Sequence, residues 1–178
     1  MKPLAPTMVF RQGGPNDASA LLELSRRTVI DTFAHLNNPA NFARFLDEHY
    51  RLDRVQSDLV DPHVTIFLGE VEGVPGAYSK LASGPVPECV GDPEAMQIVR
   101  FYVDKPYLGT GVAGQMMRLC LDHARRCGRQ TVFLGVWEHN ARAIRFYQKW
   151  GFIRCGQGLF RVGEDEQTDW WMVRSLER

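Results

Sequence analysis

Residues 136–152 read VWEHNARAIRFYQKWGF, and their punctuation decides the architecture around them. Asn140 is a residue type that accepts the free N–H groups of a helix start, and Gly151 is the type that ends a helix. A helix is therefore expected from Asn140 to Trp150. Just upstream, Thr131 to Trp137 is rich in β-formers and reads as a strand. Further back, Ala113, Met116, Met117, Cys120, Leu121 and Ala124 share one face of another helix, which Gly128 ends. That helix follows the glycine turn Leu108-Gly-Thr-Gly-Val-Ala-Gly114, which itself follows a strand over Met96 to Val103. The succession is β-α-β-α-β.

Outward from this core the pattern changes. Thr7 to Arg11 reads as a first strand, and Asp17 as the cap of a helix carrying Leu21, Leu22, Leu24, Thr28 and Val29. Asn37-Asn38-Pro39 closes that helix and opens another over Asn41 to Tyr50, with a short third over Leu52 to Leu59. Strands follow over His63 to Glu70 and Pro75 to Ala82, then a Gly/Pro-rich loop, SGPVPECVGDPE. Phe152 to Val162 and Thr168 to Leu176 close the chain as antiparallel strands around GEDEQ. Strands followed by β-α-β-α-β predict an α/β fold, a mixed sheet with helices packed on its faces.

Composition narrows the class. The chain has 178 residues, close to the ~150 typical of one domain. Its 21 basic and 21 acidic residues cancel, so the basic excess of a nucleic-acid module is absent. Cys89, Cys120, Cys127 and Cys155 stand too far apart for a CxxC redox or zinc site, and the five histidines have no metal-ligand spacing. No run approaches the ~18 apolar residues of a membrane span, and MKPLAPTMVF lacks the apolar stretch of a leader. The expectation is a soluble, cytoplasmic chain with no metal, no nucleic acid and no membrane partner.

Gly109, Gly111 and Gly114 fit G-x-G-x-x-G between a strand and a helix. Glycines let a backbone approach a phosphate, and a helix start offers free N–H groups with partial positive charge. A nicotinamide fold would need more β-α units than follow Glu138, and the P-loop reading fails because no GK[ST] follows. A tight turn that merely feeds a helix is the remaining plain reading.

Taken together, these segments resemble the GNAT superfamily of acyl-CoA-dependent N-acetyltransferases. Asn140, Ala143, Phe146, Tyr147, Gly151 and Phe152 match the family's N-x-x-A-x-x-F-Y-x-x-x-G-F, and Gly111 and Ala113 supply the end of its [RQ]-x-x-G-x-[GA] loop. Leu108 stands where the family usually has Arg or Gln. The resemblance implies a GNAT fold of about seven mostly antiparallel strands, with a central parallel pair splayed at the acyl-CoA site. Acetyl-CoA would then be the cosubstrate, held by Phe101, Tyr102, Val103, Leu108, Gly109, Thr110, Gly111, Val112, Ala113, Gly114, Asn140, Tyr147 and Lys149. It also implies one N-acetyltransferase domain over 1–178: an acceptor-side half (1–95), a cofactor-binding core (96–152) and a closing hairpin (153–178). Asp31-Thr-Phe, Asn38-Pro39, GVWEHN and GEDEQTD are similar to the bacterial spermidine/spermine acetyltransferases of that superfamily.

Acetyl transfer to nitrogen needs a neutral amine beside a thioester, and a proton for the departing thiolate. Tyr147 is the candidate acid, since its phenol can donate to sulfur. The base is open. Relatives often carry Glu on the strand before the glycine loop, but here that strand reads Gln97-Ile-Val99-Arg-Phe-Tyr-Val103. Gln97 can position a water; Asp31, Glu88, Glu138 or a chain of waters remain as alternatives. Charge is segregated along the chain: residues 100–154 carry net +7, residues 1–99 net −5 and residues 155–178 net −2. Such a field favours an anionic cofactor on the core and a cationic acceptor, a polyamine such as spermidine, on the flanks. A protein N-terminus or lysine acceptor, and a CoA-binding sensor without turnover, are the other readings. Of Trp170-Trp171 one ring points in and one out, and the outward ring would suit a homodimer contact.

Overall fold

A computed structural model describes residues 7–176, so the opening residues read above as lacking a leader lie partly outside the described residues. The strands are β1 (Val9–Gln12), β2 (Val64–Val71), β3 (Val74–Ala82), β4 (Met96–Val103), β5 (Thr131–Trp137), β6 (Ile153–Val162) and β7 (Asp165–Ser175). The helices are α1 (Ala18–Phe33), α2 (Pro39–His49), α3 (Leu52–Val60), α4 (Val112–Arg126) and α5 (Ala141–Lys149). All seven strands form one sheet in the order β1-β2-β3-β4-β5-β7-β6. Every pairing is antiparallel except β4–β5. The mixed sheet expected from the sequence is present.

Pleating sends alternate residues to opposite faces and so divides the core. Phe67 on β2 joins the cluster beneath α4 and α5, where Met116, Met117, Cys120 and Ala124 are wholly buried. Its neighbours Ile66 and Leu68 face the other way, against Leu21 and Leu24 of α1. Each large apolar side chain buried this way contributes roughly 1.5–3 kcal/mol. The periodicity that marked α4 in the sequence is thus the stripe that anchors it.

Three expectations differ from the structure. Asp17 stands at the start of α1 but does not cap it with its side chain; the carboxylate binds Arg11 at 2.6 Å and accepts from the Gly14 N–H at 2.7 Å. An arginine bridging Asp17 and Glu70 is the stronger partner. Neither Trp170 nor Trp171 projects outward. Both are half-buried: the Arg154 guanidinium lies 4.3 Å over the Trp170 ring, and Trp171 packs edge-on against Phe133. The acidic connection is also shorter than GEDEQ, since Asp165 and Glu166 already pair with Val162 and Arg161.

One irregularity shapes the centre of the sheet. β4 and β5 pair only from Met96–Val132 to Ile98–Leu134. At that point the β3–β4 register shifts, with Lys80 facing Arg100 and Leu81 facing Ile98, which leaves Val99 as an extra residue in β4. A bulge bends its strand and ends local pairing. Beyond it β4 continues along β3 alone, and the two parallel strands part.

Candidate active site

A cleft of about 890 Å³ occupies that parting. Its walls are β4 from Ile98 to Val103, the tip of β5 from Gly135 to Trp137, the glycine turn, the inner face of α5, and the ends of α1 and α2.

The glycine turn forms the rim. Gly109 and Gly111 take φ of +76° and +91°, left-handed conformations that an L side chain adopts only at a cost. A Cβ at either position would enter open space, so the absent side chains leave the turn bare toward the cleft. Gly111 stands at the N-cap of α4 without a side-chain cap. The first-turn amides of a helix have no intrahelical partner, and the helix dipole adds positive potential there. This cradle fits the diphosphate of a CoA-type cofactor. The turn is tied to the body of the protein through Asp104, which accepts from the Lys105 N–H and pairs with Arg27 at 2.9 Å.

The expected cofactor residues divide. Phe101, Tyr102, Val103, Leu108, Gly109, Gly111, Ala113, Gly114, Asn140 and Tyr147 all line the cleft. Thr110, Val112 and Lys149 do not: the Thr110 hydroxyl donates to the Tyr107 carbonyl, Val112 faces the core, and Lys149 is exposed. Of these, Val112 has only its first-turn amide to offer.

Asn140 caps α5, its side-chain oxygen accepting from the Ala143 N–H at 3.2 Å. Two turns further, Tyr147 is buried against Phe101 and Phe152, yet it reaches the cleft wall. Its hydroxyl bonds to no protein group among the described residues. Burial, and after it the nearby Cys120, pushes the phenol well above its ordinary range. It therefore stays protonated and able to donate.

The acidic candidates from the sequence fare unevenly. Asp31 lines the cleft but is paired with Lys105 at 3.1 Å. Glu88, Gln97 and Glu138 lie outside it: Glu88 begins a one-turn helix against β6 and β7, Gln97 sits below the splay opposite Phe133, and Glu138 faces His139. A further carboxylate in the cleft, with no ion pair among the described residues, is one that sequence reasoning misses. It is Asp169 on β7, whose carboxyl burial pushes up to about 6. The available signal was an aspartate in phase with Trp171 and Val173, directly before the apolar run Trp170 to Val173.

On the side covered by α1–α3, Arg100, Tyr50 and Tyr102 line the walls, with Tyr78 beside them outside the cleft. The Arg100 guanidinium lies 4.1 Å over the Tyr50 ring, and Tyr78 stacks on Tyr102. Burial raises the pKa of all three phenols. His49 beside them is pushed down, first by burial and then by Arg54 and Arg100.

Comparison with known proteins follows this geometry. The family model of the Acetyltransferase (GNAT) family matches residues 30–152. An uncharacterized N-acetyltransferase of Mycobacterium tuberculosis is 32% identical over 160 residues, 90% of this chain and 98% of that protein. The PaiA N-acetyltransferase of Thermoplasma acidophilum, solved with coenzyme A, superposes with a TM-score of 0.76 at 14% identity, covering 95% of this chain and 99% of that one. The spermine/spermidine N(1)-acetyltransferase of Bacillus subtilis matches 33% of the chain at 36% identity. The L-methionine sulfoximine/L-methionine sulfone acetyltransferase of Salmonella typhimurium matches 84% of it at 24%. The chain belongs to the GNAT family. It is an acyl-CoA-dependent N-acetyltransferase with acetyl-CoA as cosubstrate.

Proposed function

We propose that this enzyme acetylates the primary amine of a small molecule, with Asp169 as base and Tyr147 as acid. The observation that carries the reading is one cleft lined by both residues, where Asp169 is pushed up to about 6 and Tyr147 is held protonated. Acetyl-CoA supplies the acetyl thioester, and the bare glycine turn with the start of α4 would hold its diphosphate. The main-chain groups of Phe101 and Val103, on the side of β4 that has parted from β5, are free to align the pantetheine arm.

An alkyl amine has a pKa near ~10, so it arrives protonated at neutral pH. Asp169 takes one proton from it, directly or through a water. The neutral nitrogen then attacks the carbonyl carbon, the N–C bond forms, the C–S bond breaks, and the nitrogen sheds its second proton to water in the open cleft, leaving the neutral amide. Tyr147 gives its proton to the departing sulfur and recovers one from solvent through the open cleft. Holding amine and thioester together supplies much of the rate, up to ~7–11 kcal/mol.

A polyamine acceptor is the second reading, favoured by Asp31 and Asp169 in the cleft and by the partial likeness to spermine acetyltransferases. The reading implies the cytoplasm, where acetyl-CoA is at hand. The test is incubation with acetyl-CoA and a panel of amines while free thiol is followed. Thiol release with a small amine is expected. Release with peptides alone would indicate a protein acetyltransferase, and stabilisation by CoA with no release would indicate a sensor; either outcome overturns the proposal.

A further inference from the structure

Arg100 plays no part in the scheme above. It is half-buried, and among the described residues no carboxylate forms an ion pair with it. Neighbouring cations are matched: Lys80 to Asp58 at 2.6 Å, Lys105 to Asp31 at 3.1 Å and Arg27 to Asp104 at 2.9 Å. A guanidinium withdrawn from water without an anion is costly, and a phenyl face such as that of Tyr50 repays only about 0.5–2 kcal/mol.

Beside Arg100 lies a cavity of about 30 Å³, also lined by Tyr50, Tyr78, His49, Arg54 and the Lys80–Asp58 ion pair, whose aspartate is already neutralised by its lysine. A water needs only ~10–15 Å³ of such space, so the cavity has room for the oxygens of a small acid group. The Tyr78 hydroxyl is buried in its wall beside Arg100, and its O–H finds no hydrogen-bond acceptor among the described residues. A phenol kept neutral by burial is a donor in search of an acceptor. His49, Tyr50 and Arg100 line both this cavity and the large cleft, so the two spaces share a wall.

We infer that the acceptor amine also carries an acid group, a carboxylate or equivalent oxyacid, which Arg100 and Tyr78 bind at this corner. The acceptor is then amino-acid-like: its anionic end faces Arg100 and its amine faces Asp169. A polyamine has nothing to offer Arg100 and is repelled by it. This inference rests on the proposed acetylation of a small amine.

The test uses the full-length protein with acetyl-CoA. Its panel contains amino acids with increasing amine-to-carboxylate spacing, their carboxamides, the matching decarboxylated amines, and spermidine. For at least one spacing, kcat/KM for the acid is expected to exceed that of its amide by about tenfold or more, mainly through KM. That ratio should collapse toward one in Arg100→Gln and persist in part in Arg100→Lys, which keeps the charge. Tyr78→Phe preserves the ring packing and should shrink the ratio several-fold, so it carries the test if Arg100→Gln does not fold. A purely structural Arg100 would lower Tm while leaving the ratio intact. That result, or wild-type enzyme using amides or spermidine as well as the acids, overturns the inference while leaving small-amine acetylation standing. No thiol release from any amine would overturn both.

Discussion

Asp169 leans across the sheet toward Gly135, its Oδ2 only 3.4 Å from where a Cβ would stand on that residue. The space left by the missing side chain on β5 is shared by the carboxylate and the Trp171 ring, which comes within 3.0 Å of the same point. Because β7 lies directly against β5, this places a half-buried acid next to the point where β4 and β5 part.

Removing that acid should separate activity from stability. Asp169→Asn is expected to lower kcat/KM by roughly 10²-fold, the usual scale for a general base. In the wild type the rate should rise as pH climbs through about 6, because only the ionised carboxylate takes a proton, and the variant should lose this limb. Stability runs the other way. The folded-state pKa of about 6 lies above the ordinary 3.8, so folding loses free energy as pH rises from 3.8 to about 6 and stays lower above that. The asparagine variant should therefore melt higher than wild type at pH 8, by roughly 1–2 kcal/mol after solvent screening, and equally near pH 3. Thermal melts at the two pH values check this.

Tyr147→Phe removes the proton donor and leaves the ring contacts with Phe101 and Phe152. Turnover is expected to fall by roughly 10²-fold with little change in KM for acetyl-CoA. An unchanged rate would return Tyr147 to a packing role. The variant should also differ less from wild type with a thioester whose thiol leaves more readily.

Gly111→Ala places a Cβ at φ +91°, a strained conformation wherever the side chain points. The turn must distort, at about 1–2 kcal/mol, and the amides above it shift. The expected result is a several-fold rise in KM for acetyl-CoA with a smaller change in KM for the amine. Steady-state kinetics in both substrates separates the two.

Cysteine chemistry gives an independent check of the fold. Cys120 is buried, with its thiol pushed up to about 12 by burial, so it should resist alkylation in the native state. Cys89 and Cys155 have Sγ atoms 3.2 Å apart, and diamide should oxidise them to a disulfide with loss of two hydrogens. Mass mapping of the linked peptides would establish the pairing. Alkylation of Cys120 at the rate of exposed Cys127 would contradict the burial of α4.

Much of this was legible beforehand, for reasons that differ by residue. β4 and β5 match the sequence reading at both ends, because their runs of β-formers are bounded by turn residues. Asn140 reads as a cap because capping involves only the next few residues. Asp17 misled for the complementary reason: Glu70 and Arg11, brought together by the β1–β2 pairing, outbid the local bond.

The sequence by itself determined the β-α-β-α-β core, the glycine turn and the place of Tyr147, since each depends on spacing within a few residues. Only the tertiary structure decided the rest. Inserting β7 between β5 and β6 carries Asp169 to the cleft, and the bulge at Val99 opens the parallel pair. The packing of α1–α3 sets Tyr50 beneath Arg100, and the loop before β4 meets β6 at the Cys89–Cys155 contact. Those partners stand far apart along the chain, so which side chains meet is fixed by strand order and register, quantities that no local pattern of residues encodes.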